Sequence, residues 1–267
     1  MTLRNLLLSN TSFSFERNIF YRKELTHHDP FEKNYIELRK RENRVYADEV
    51  VRNLPDLDRP QSLKNEWLIR KITMRKLITY FKKKDKKNLI LELGCGNGWL
   101  SHQLAVSLNA EILGLDINET ELLQGASLFG DCQNLSFIYG DIFTIGIKEE
   151  TFDIVILAGS IQYFPDVARL VRRLLDLVKP AGEIHIVDSP IYASSTESRE
   201  AKKRSDDYFD TLGAPTMKAH YFHHHLFELS EFNHRILFKP NYLVSWFRRI
   251  ILGTPRLFFP WILIRHQ

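Results

Sequence analysis

Five short apolar runs in the middle of the chain, each followed by glycine, aspartate or another turn residue, constrain its fold more than any other sequence feature. The runs are Leu89–Leu93, Ile112–Leu115, Leu135–Tyr139, Phe152–Leu157 and Ile184–Val187. Runs of this length are typical of strands buried on both faces of a parallel sheet. Helical patterns separate several of them, such as the face shared by Leu100, Leu104 and Leu108. This alternation predicts right-handed βαβ units and a doubly wound α/β fold.

Composition and charge limit the class of protein. The 267 residues are 44% hydrophobic and 26% charged, which excludes a disordered, collagen-like or coiled-coil chain. The two cysteines, Cys95 and Cys132, are too few for a disulfide framework, so a reducing compartment is expected. No apolar run reaches the roughly 18 residues of a membrane span, and the first residues lack the features of a secretory signal. We therefore expect a cytoplasmic protein.

Charge is unevenly distributed along the sequence. Residues 1–87 contain 21 Lys and Arg against 12 Asp and Glu, a net charge of +9, whereas residues 88–267 contain 16 against 21, a net charge of −5. A basic front section could face nucleic acid, an anionic membrane or an acidic substrate. A solvated helical surface is the simpler interpretation, because many of these charges alternate in sign.

The two ends of the chain depart from the alternation of strands and helices. Residues 1–60 contain apolar side chains at helix-like intervals and predict a helical N-terminal extension. Near the other end, Arg235–Phe238 and Phe258–Ile264 are strand candidates, with a helix candidate, Tyr242–Ile251, between them. The last apolar run is favoured as a core strand, and an interfacial membrane anchor is the alternative.

The most informative motif is the glycine turn Gly94-Cys95-Gly96-Asn97-Gly98 after the first apolar run. Glycines permit unusual backbone angles and let a ligand approach the main chain closely. In an open α/β sheet, ligands bind at the carboxyl end of such a strand. The pattern G-x-G-x-G differs from the dinucleotide fingerprint G-x-G-x-x-G. Trp99 occupies the position of the third dinucleotide glycine, which disfavours an NAD-dependent oxidoreductase.

Aspartates follow the next two predicted strands. Asp116 ends the second run, 22 positions after Gly94, where a carboxylate can accept both hydroxyls of a ribose. Asp141 follows the third run, where it can bond an adenine amino group. A single aspartate at a strand end is usually a cap or turn residue. Two of them after this glycine turn are much better explained by a ligand site.

These motifs resemble the class I S-adenosylmethionine-dependent methyltransferases, particularly their broad bacterial small-molecule branch, the methyltransferase type 11-like proteins. The resembling segments are Glu92–Gly98, Gly114–Ile117, Gly140–Ile142, Phe152–Val155, Ile161–Phe164 and Leu177–Glu183. The resemblance covers about residues 60–190. It implies a Rossmann-like, seven-stranded mixed sheet whose last strand is antiparallel, within a methyltransferase domain spanning residues 61–267.

The resemblance also implies S-adenosylmethionine as the cofactor, with its methionine part over the glycine turn. The implied cofactor contacts are Glu92, Gly94, Cys95, Gly96, Gly98, Asp116, Ile117, Asp141, Ile142 and Ala158. Methyl transfer from a sulfonium has a good leaving group, so the protein mainly supplies alignment and a water-poor site. A general base is needed only when the nucleophile must lose a proton, which leaves the acceptor and its atom open.

An insertion at residues 190–233 is rich in Tyr, Phe and His and predicts a helical substrate lid. His223, His224 and Tyr163 are the candidate catalytic residues, as a base or as hydrogen-bonding groups, with packing as the alternative for the histidines. No metal site is predicted, because no cysteine or carboxylate completes a familiar ligand spacing. Arg70 is expected to reach a carboxylate of the cofactor or an anionic substrate, or else to form a surface salt bridge.

The sequence therefore predicts an S-adenosylmethionine-dependent methyltransferase that acts on a small molecule. A nucleic-acid methyltransferase that uses the basic front section is the nearest alternative enzyme, although the chain contains no Asn/Asp-Pro-Pro-aromatic motif and no Pro-Cys pair. A cofactor-binding partner or regulator without catalysis is the alternative from a different class. The oligomeric state is left open.

Overall fold

The computed structural model describes residues 12–22, 30–57, 61–84, 87–239 and 259–267. The strands in this part of the chain are β1 (Phe13–Glu16), β2 (Ile19–Arg22), β3 (Asn88–Leu93), β4 (Ala110–Asp116), β5 (Leu135–Tyr139), β6 (Phe152–Ala158), β7 (Val178–Val187), β8 (Ile191–Tyr192), β9 (His224–His225), β10 (Asn233–Phe238) and β11 (Trp261–Arg265). The helices are α1 (Pro30–Arg41), α2 (Asp48–Arg52), α3 (Gln61–Phe81), α4 (Trp99–Ser107), α5 (Glu119–Phe129), α6 (Val167–Leu177) and α7 (Ser195–Thr211). The predicted helix Tyr242–Ile251 lies outside the described residues.

Nine strands form one sheet in the order β1-β2-β5-β4-β3-β6-β7-β11-β10. Neighbours from β2 to β7 are parallel. The chain runs outward from β3 through β4 to β5, then returns to the other side of β3 for β6 and β7. This reversal makes the carboxyl ends of β3 and β6 the switch point of the sheet, where open α/β folds bind ligands. The predicted doubly wound fold is confirmed.

The closing pair of strands is also confirmed. β11 is antiparallel to both β7 and β10 and lies between them. Ile262 and Ile264 of β11 are completely buried, which supports the interpretation of the last apolar run as a core strand. No helix in the described ranges is both long and apolar enough to cross a membrane.

The sheet has nine strands rather than the expected seven, because the N-terminal extension is not wholly helical. β1 and β2 form a hairpin, and β2 pairs in parallel with β5. Arg17 and Asn18 in the turn both have positive φ, 49° and 64°, as a two-residue hairpin turn of the primed type requires. Ile19 and Phe20 are buried, so the hairpin covers what would otherwise be an open edge at β5.

Side chains of the central strands alternate between two apolar layers. Leu91 of β3 packs in the layer that contains Leu170 and Leu174 of α6. Ile90 packs in the opposite layer, which contains Leu77 of α3. This period of two follows from the pleat of the strands. Packing in the two layers holds the strands in register, so that their carboxyl ends lie at one edge of the sheet.

The segment at residues 190–233 contains one helix, α7, rather than a wholly helical lid. The rest consists of the 3₁₀ helices Pro215–Ala219 and Leu226–Leu229 and the short strands β8 and β9, which pair in parallel. The N–H of Phe222 donates to the carbonyl of Gln162 at 2.7 Å. The segment is therefore joined to the loop that follows β6.

Gly98 shows how closely α4 packs on the sheet. It precedes α4 with a φ of 70°, and a Cβ there would lie 2.4 Å from the Phe137 ring. We expect Gly98→Ala to lower the free energy of unfolding by about 1–3 kcal/mol, because both the backbone and the ring must yield. Urea denaturation measures the change.

Phe137→Leu and the double variant provide the control for this prediction. Shortening the ring removes the overlap but leaves the backbone strain, so the double variant should lose less stability than the sum of the two single variants. Additive losses would show that Gly98 and Phe137 do not compete for the same space.

Candidate functional site

Three cavities adjoin at the carboxyl ends of the central strands. The turn cavity, about 100 Å³, lies beside Gly94, and the aspartate cavity, about 380 Å³, lies beside Asp116. The tyrosine cavity, about 530 Å³, lies beside Tyr192. Gly159, directly after β6, lines all three. It is therefore the point at which ligands in neighbouring cavities would meet.

Most of the predicted cofactor contacts line the first two cavities. Gly94 and Gly96 line both, and Cys95 lines the turn cavity with its thiol buried. Gly98 lines none of the three, because it faces the Phe137 ring. The remaining predicted contacts are divided between the turn cavity, with Glu92 and Ala158, and the aspartate cavity, with Asp116, Ile117, Asp141 and Ile142.

The two aspartates are held by backbone N–H groups. Asp116 accepts the N–H of Gly96 on Oδ2 at 2.7 Å and that of Asn118 on Oδ1 at 2.8 Å. Asp141 accepts the N–H of Phe143 on Oδ1 at 2.9 Å. A carboxylate has about four lone-pair sites. Both groups therefore keep acceptor capacity for a ligand in the aspartate cavity.

Three carboxyl groups around the glycine turn have raised pKa values, and burial is the main cause for each. It raises the pKa of Glu92 to about 8, that of Asp116 to about 6 and that of Glu121 to about 7. Asp116 raises the pKa of both glutamates further by repulsion, while Arg70 lowers them. A cationic ligand in these cavities would lower the three pKa values again, because an opposite charge favours the ionised form of a carboxyl group.

Glu121 was missed by the sequence analysis, and the reason lies in its place three residues after Asn118. That spacing is typical of a capping box, and the Asn118 side chain does accept the Glu121 N–H at 3.0 Å. The reciprocal bond is not made, because the Asn118 N–H donates to Asp116 instead. The Glu121 carboxylate is thus released from the helix end and lines the turn and aspartate cavities.

Tyr163 lies between the aspartate and tyrosine cavities and lines both. Its ring meets those of Phe31 and Tyr221 edge-on, with centroids 5.7 Å away in each case. These rings come from the N-terminal extension and from the segment at residues 190–233. Tyr163 therefore separates the aspartate cavity from the tyrosine cavity.

The two histidines lie behind the cavities rather than on their walls. His223 contacts Ser205 Oγ through Nε2 at 2.9 Å, and burial lowers its pKa to about 4, so the ring is neutral at pH 7. His224 is buried, with Nε2 2.9 Å from the Phe164 carbonyl and Nδ1 3.0 Å from Glu228. Nε2 of His224 thus joins the segment at residues 190–233 to the loop after β6, and Nδ1 holds a residue within the segment.

Gly159 is the second residue that the sequence analysis missed, since it assigned the neighbouring Ala158. Gly159 has a φ of 71°, and a Cβ there would lie 3.3 Å from the Asp188 carbonyl and 3.5 Å from an Arg70 nitrogen. A glycine at the end of a strand is too common to attract notice. The role of Gly159 becomes clear only in the fold, where the ends of β6 and β7 lie beside helix α3.

A family model described as a methyltransferase domain matches residues 84–228, which is more than half of the chain. The chain belongs to the S-adenosylmethionine-dependent methyltransferases. The matched range begins just before β3 and includes the glycine turn, both aspartates and Gly159. The family expected from the motifs is thus confirmed.

Curated relatives of this methyltransferase match over part of their length. It is 26% identical to demethylmenaquinone methyltransferase of Lactococcus lactis over 117 residues, 40% of this chain and 46% of that protein. It is 31% identical to ubiquinone biosynthesis O-methyltransferase of Coxiella burnetii over 97 residues, 36% of this chain and 41% of that protein. The chain therefore spans less than half of the length of these relatives.

Solved structures support the same fold. The YcgJ protein of Bacillus subtilis superposes with a TM-score of 0.57 at 15% identity, over 74% of this chain and 99% of that one. Phosphoethanolamine N-methyltransferase 2 of Haemonchus contortus, solved with phosphomonomethylethanolamine and S-adenosylhomocysteine, gives a TM-score of 0.52 at 15% identity, over 73% of this chain and 53% of that one. At these identities the likeness concerns the fold alone.

S-adenosylmethionine, the methyl donor of this family, fits the residues around the glycine turn. It carries positive charge on its sulfonium and its ammonium, and such charge beside the three carboxyl groups with raised pKa values would favour their ionised forms. The aspartate cavity, about 380 Å³, is within the range of small-molecule sites, roughly 300–1,000 Å³. Charge and size thus agree with the cofactor that the family uses.

The raised pKa of Glu92 predicts a pH-dependent stability. Because the folded protein binds this proton more tightly than the unfolded chain, stability without ligand falls as the pH rises from about 4.5 to about 8. Glu92→Gln cannot ionise. We compare the free energy of unfolding of the variant with that of the parent at each pH. Between pH 4.5 and pH 8.5 this difference should shift in favour of the variant by on the order of a few kcal/mol.

Urea denaturation without ligand at both pH values measures the difference between Glu92→Gln and the parent protein. Groups remote from Glu92 titrate equally in both proteins and cancel in that difference. An equal pH dependence for the two proteins would show that Glu92 carries its ordinary pKa in the fold.

Proposed function

We propose that this protein transfers a methyl group from S-adenosylmethionine to a small molecule held in the tyrosine cavity. The observation that carries the proposal is that Gly159 lines the turn, aspartate and tyrosine cavities together. A donor in the first two cavities and an acceptor in the third would meet beside this residue. Because glycine has no side chain, the two reacting groups can approach each other in line there.

On the donor side, each group has a task that matches its chemistry. Asp116 accepts from the ribose hydroxyls, and Asp141 accepts from the adenine amino group. Glu121 faces the ammonium, and the bare backbone of Gly94 and Gly96 leaves room for the methionine part. When bound, the cofactor supplies an activated methyl group, and these residues orient it toward Gly159.

The acceptor side suits a small molecule better than nucleic acid. The tyrosine cavity, about 530 Å³, has the size of a metabolite site. It is enclosed by α1 and α3 on one side and by α7 on the other, with aromatic walls that exclude water. Tyr163 separates the two ligands, and His223 supports the wall through Ser205. The role of His223 in the reaction is thus indirect.

Cofactor binding is tested by thermal denaturation with S-adenosylhomocysteine and, as a control, with NAD. A ligand that binds the folded state stabilises by about 2.7 kcal/mol at a hundredfold excess over its Kd. We expect S-adenosylhomocysteine to raise the Tm and NAD to leave it unchanged. Glu121→Gln should weaken S-adenosylhomocysteine by about tenfold or more, because a charged hydrogen bond is lost.

Glu149→Gln is the matched control for this prediction, since Glu149 is exposed and does not line the three cavities. It should bind S-adenosylhomocysteine as the parent does. Equal affinities for the Glu121→Gln variant and the parent, measured by calorimetry, would remove Glu121 from the site. Stabilisation by NAD alone would overturn the choice of cofactor.

Transfer itself is tested with S-adenosylmethionine that carries a labelled methyl group, added to a small-molecule extract or to purified RNA and DNA. Label should enter the small-molecule fraction and require the protein. Label in nucleic acid would favour the basic front section as a binding face. Cofactor binding without transfer to either fraction would favour a non-catalytic partner.

A further inference from the structure

The charged residues of the tyrosine cavity are almost all paired with one another. Arg39 contacts Glu42 at 3.0 Å, and Glu42 contacts Arg44 at 3.5 Å. Arg44 contacts Glu66 at 2.6 Å, and Glu66 contacts Arg70 at 3.2 Å. The three arginines are thus already neutralised in large part and offer little to an anionic acceptor.

Asp188 stands outside this chain of ion pairs. It follows β7 and also lines the tyrosine cavity, but forms no salt bridge with the residues that the structure describes. Its Oδ1 accepts the Thr73 hydroxyl at 2.7 Å, and its backbone has a φ of 49°, which is uncommon for a residue other than glycine. Burial raises its pKa, while Arg70 and Lys76 of α3 lower it and Glu66 raises it.

Gln162 lines the same cavity and carries a buried acceptor that is unused. The residue is 93% buried, and its Nε2 donates to the Gly159 carbonyl at 2.6 Å. This bond fixes the orientation of the amide, and Oε1 has no hydrogen-bond partner within the described ranges. A buried acceptor without a partner costs about 1–3 kcal/mol.

Both acceptors are held beside Gly159. The Gly159 N–H donates to Ser189 Oγ at 3.2 Å, and that hydroxyl donates to the Val187 carbonyl at 3.0 Å. These bonds join the end of β6 to the end of β7. Asp188 and Gln162 thus flank the place where the donor and acceptor cavities meet.

These observations define the hydrogen bonding, charge and shape of a ligand that would fit the tyrosine cavity. It must donate a hydrogen bond, because the Asp188 carboxylate, whose Oδ1 already takes the Thr73 hydroxyl, can only accept one. It should be neutral, because the six charges of the cavity cancel and the sulfonium beside Gly159 would repel a cation. It should be flat and aromatic, since Tyr192, Phe209 and Tyr221 form the opposite wall.

We propose, on the basis of the proposed function, that the acceptor is a neutral phenol, that it is methylated on oxygen, and that Asp188 removes its proton. The phenol O–H donates to the Asp188 carboxylate, which takes the proton as the reaction proceeds. The oxygen uses an electron pair to form the new O–C bond to the methyl group. The C–S bond breaks with its electron pair left on sulfur. A methyl ether, S-adenosylhomocysteine and protonated Asp188 result, and Asp188 then returns the proton to solvent.

The acceptor class is tested with three phenols on one scaffold: 2-(4-hydroxyphenyl)ethanol, which is neutral, tyramine, which is cationic, and 4-hydroxyphenylacetate, which is anionic. Each is incubated with the full chain and S-adenosylmethionine, and the methylated atom is identified by mass spectrometry. We expect the neutral compound to have the highest kcat/KM and to carry the methyl group on its phenolic oxygen.

The role of Asp188 is tested with Asp188→Asn, and with Asp207→Asn as the matched control, since Asp207 is exposed on α7. Loss of a general base costs about 10²–10⁴-fold in rate, so Asp188→Asn should lower kcat on the neutral phenol by at least about a hundredfold. With 4-nitrophenol, which is already ionised at pH 8, the loss should be under about tenfold. S-adenosylhomocysteine affinity and Tm should stay near those of the parent, and Asp207→Asn should retain full activity.

An equal loss on both phenols would show that Asp188 only shapes the cavity, and it would overturn the proton transfer. Methylation of the tyramine nitrogen, or of no phenol at all while S-adenosylhomocysteine still binds, would overturn the acceptor class and leave the proposed function standing. Failure of S-adenosylhomocysteine to bind the parent protein would instead overturn the proposed function.

Discussion

The hydrogen bond from the Gly96 N–H to the Asp116 carboxylate organises the site. It joins the turn after β3 to the end of β4 at 2.7 Å, so the position of the turn depends on where β4 ends. The same carboxylate takes the N–H of Asn118, and this removes the partner that Glu121 would have had at the start of α5. One buried acid thus shapes the glycine turn and directs a second acid into the cavity.

The residues that were correctly placed from sequence are those whose position follows from the sheet alone. Parallel neighbours end at a common edge, so Asp116, Asp141 and the glycine turn had to converge once the strands were recognised. Their order in the sheet follows from right-handed crossovers. Cofactor and family could be predicted for the same reason, since both depend on groups attached to strand ends.

The residues that were missed or misplaced depend on competition between partners. Gly98 matches the motif, but the Phe137 ring, 39 positions away, decides that it packs rather than lines a cavity. The Arg17-Asn18 turn belongs to a hairpin whose second strand pairs with β5, and that pairing cannot be read from the local sequence. His224 lies in an aromatic segment and was therefore a candidate catalytic residue. Its two ring nitrogens instead contact Glu228 and the Phe164 carbonyl. No local pattern tells which of several available partners a side chain will take.

The wall of the tyrosine cavity is attached to the loop after β6 through main-chain carbonyls. Phe222 donates its backbone N–H to the Gln162 carbonyl, and His224 reaches the Phe164 carbonyl. Carbonyls are present whatever the side chain, so the exposed positions of this wall can change without loss of these bonds. Mutational drift could therefore reshape acceptor preference while the donor site stays intact. A laboratory library that varies the exposed positions of α7 and its flanking loops, but keeps His224 and the buried Phe209 and Met217, would explore new acceptors at little cost to folding.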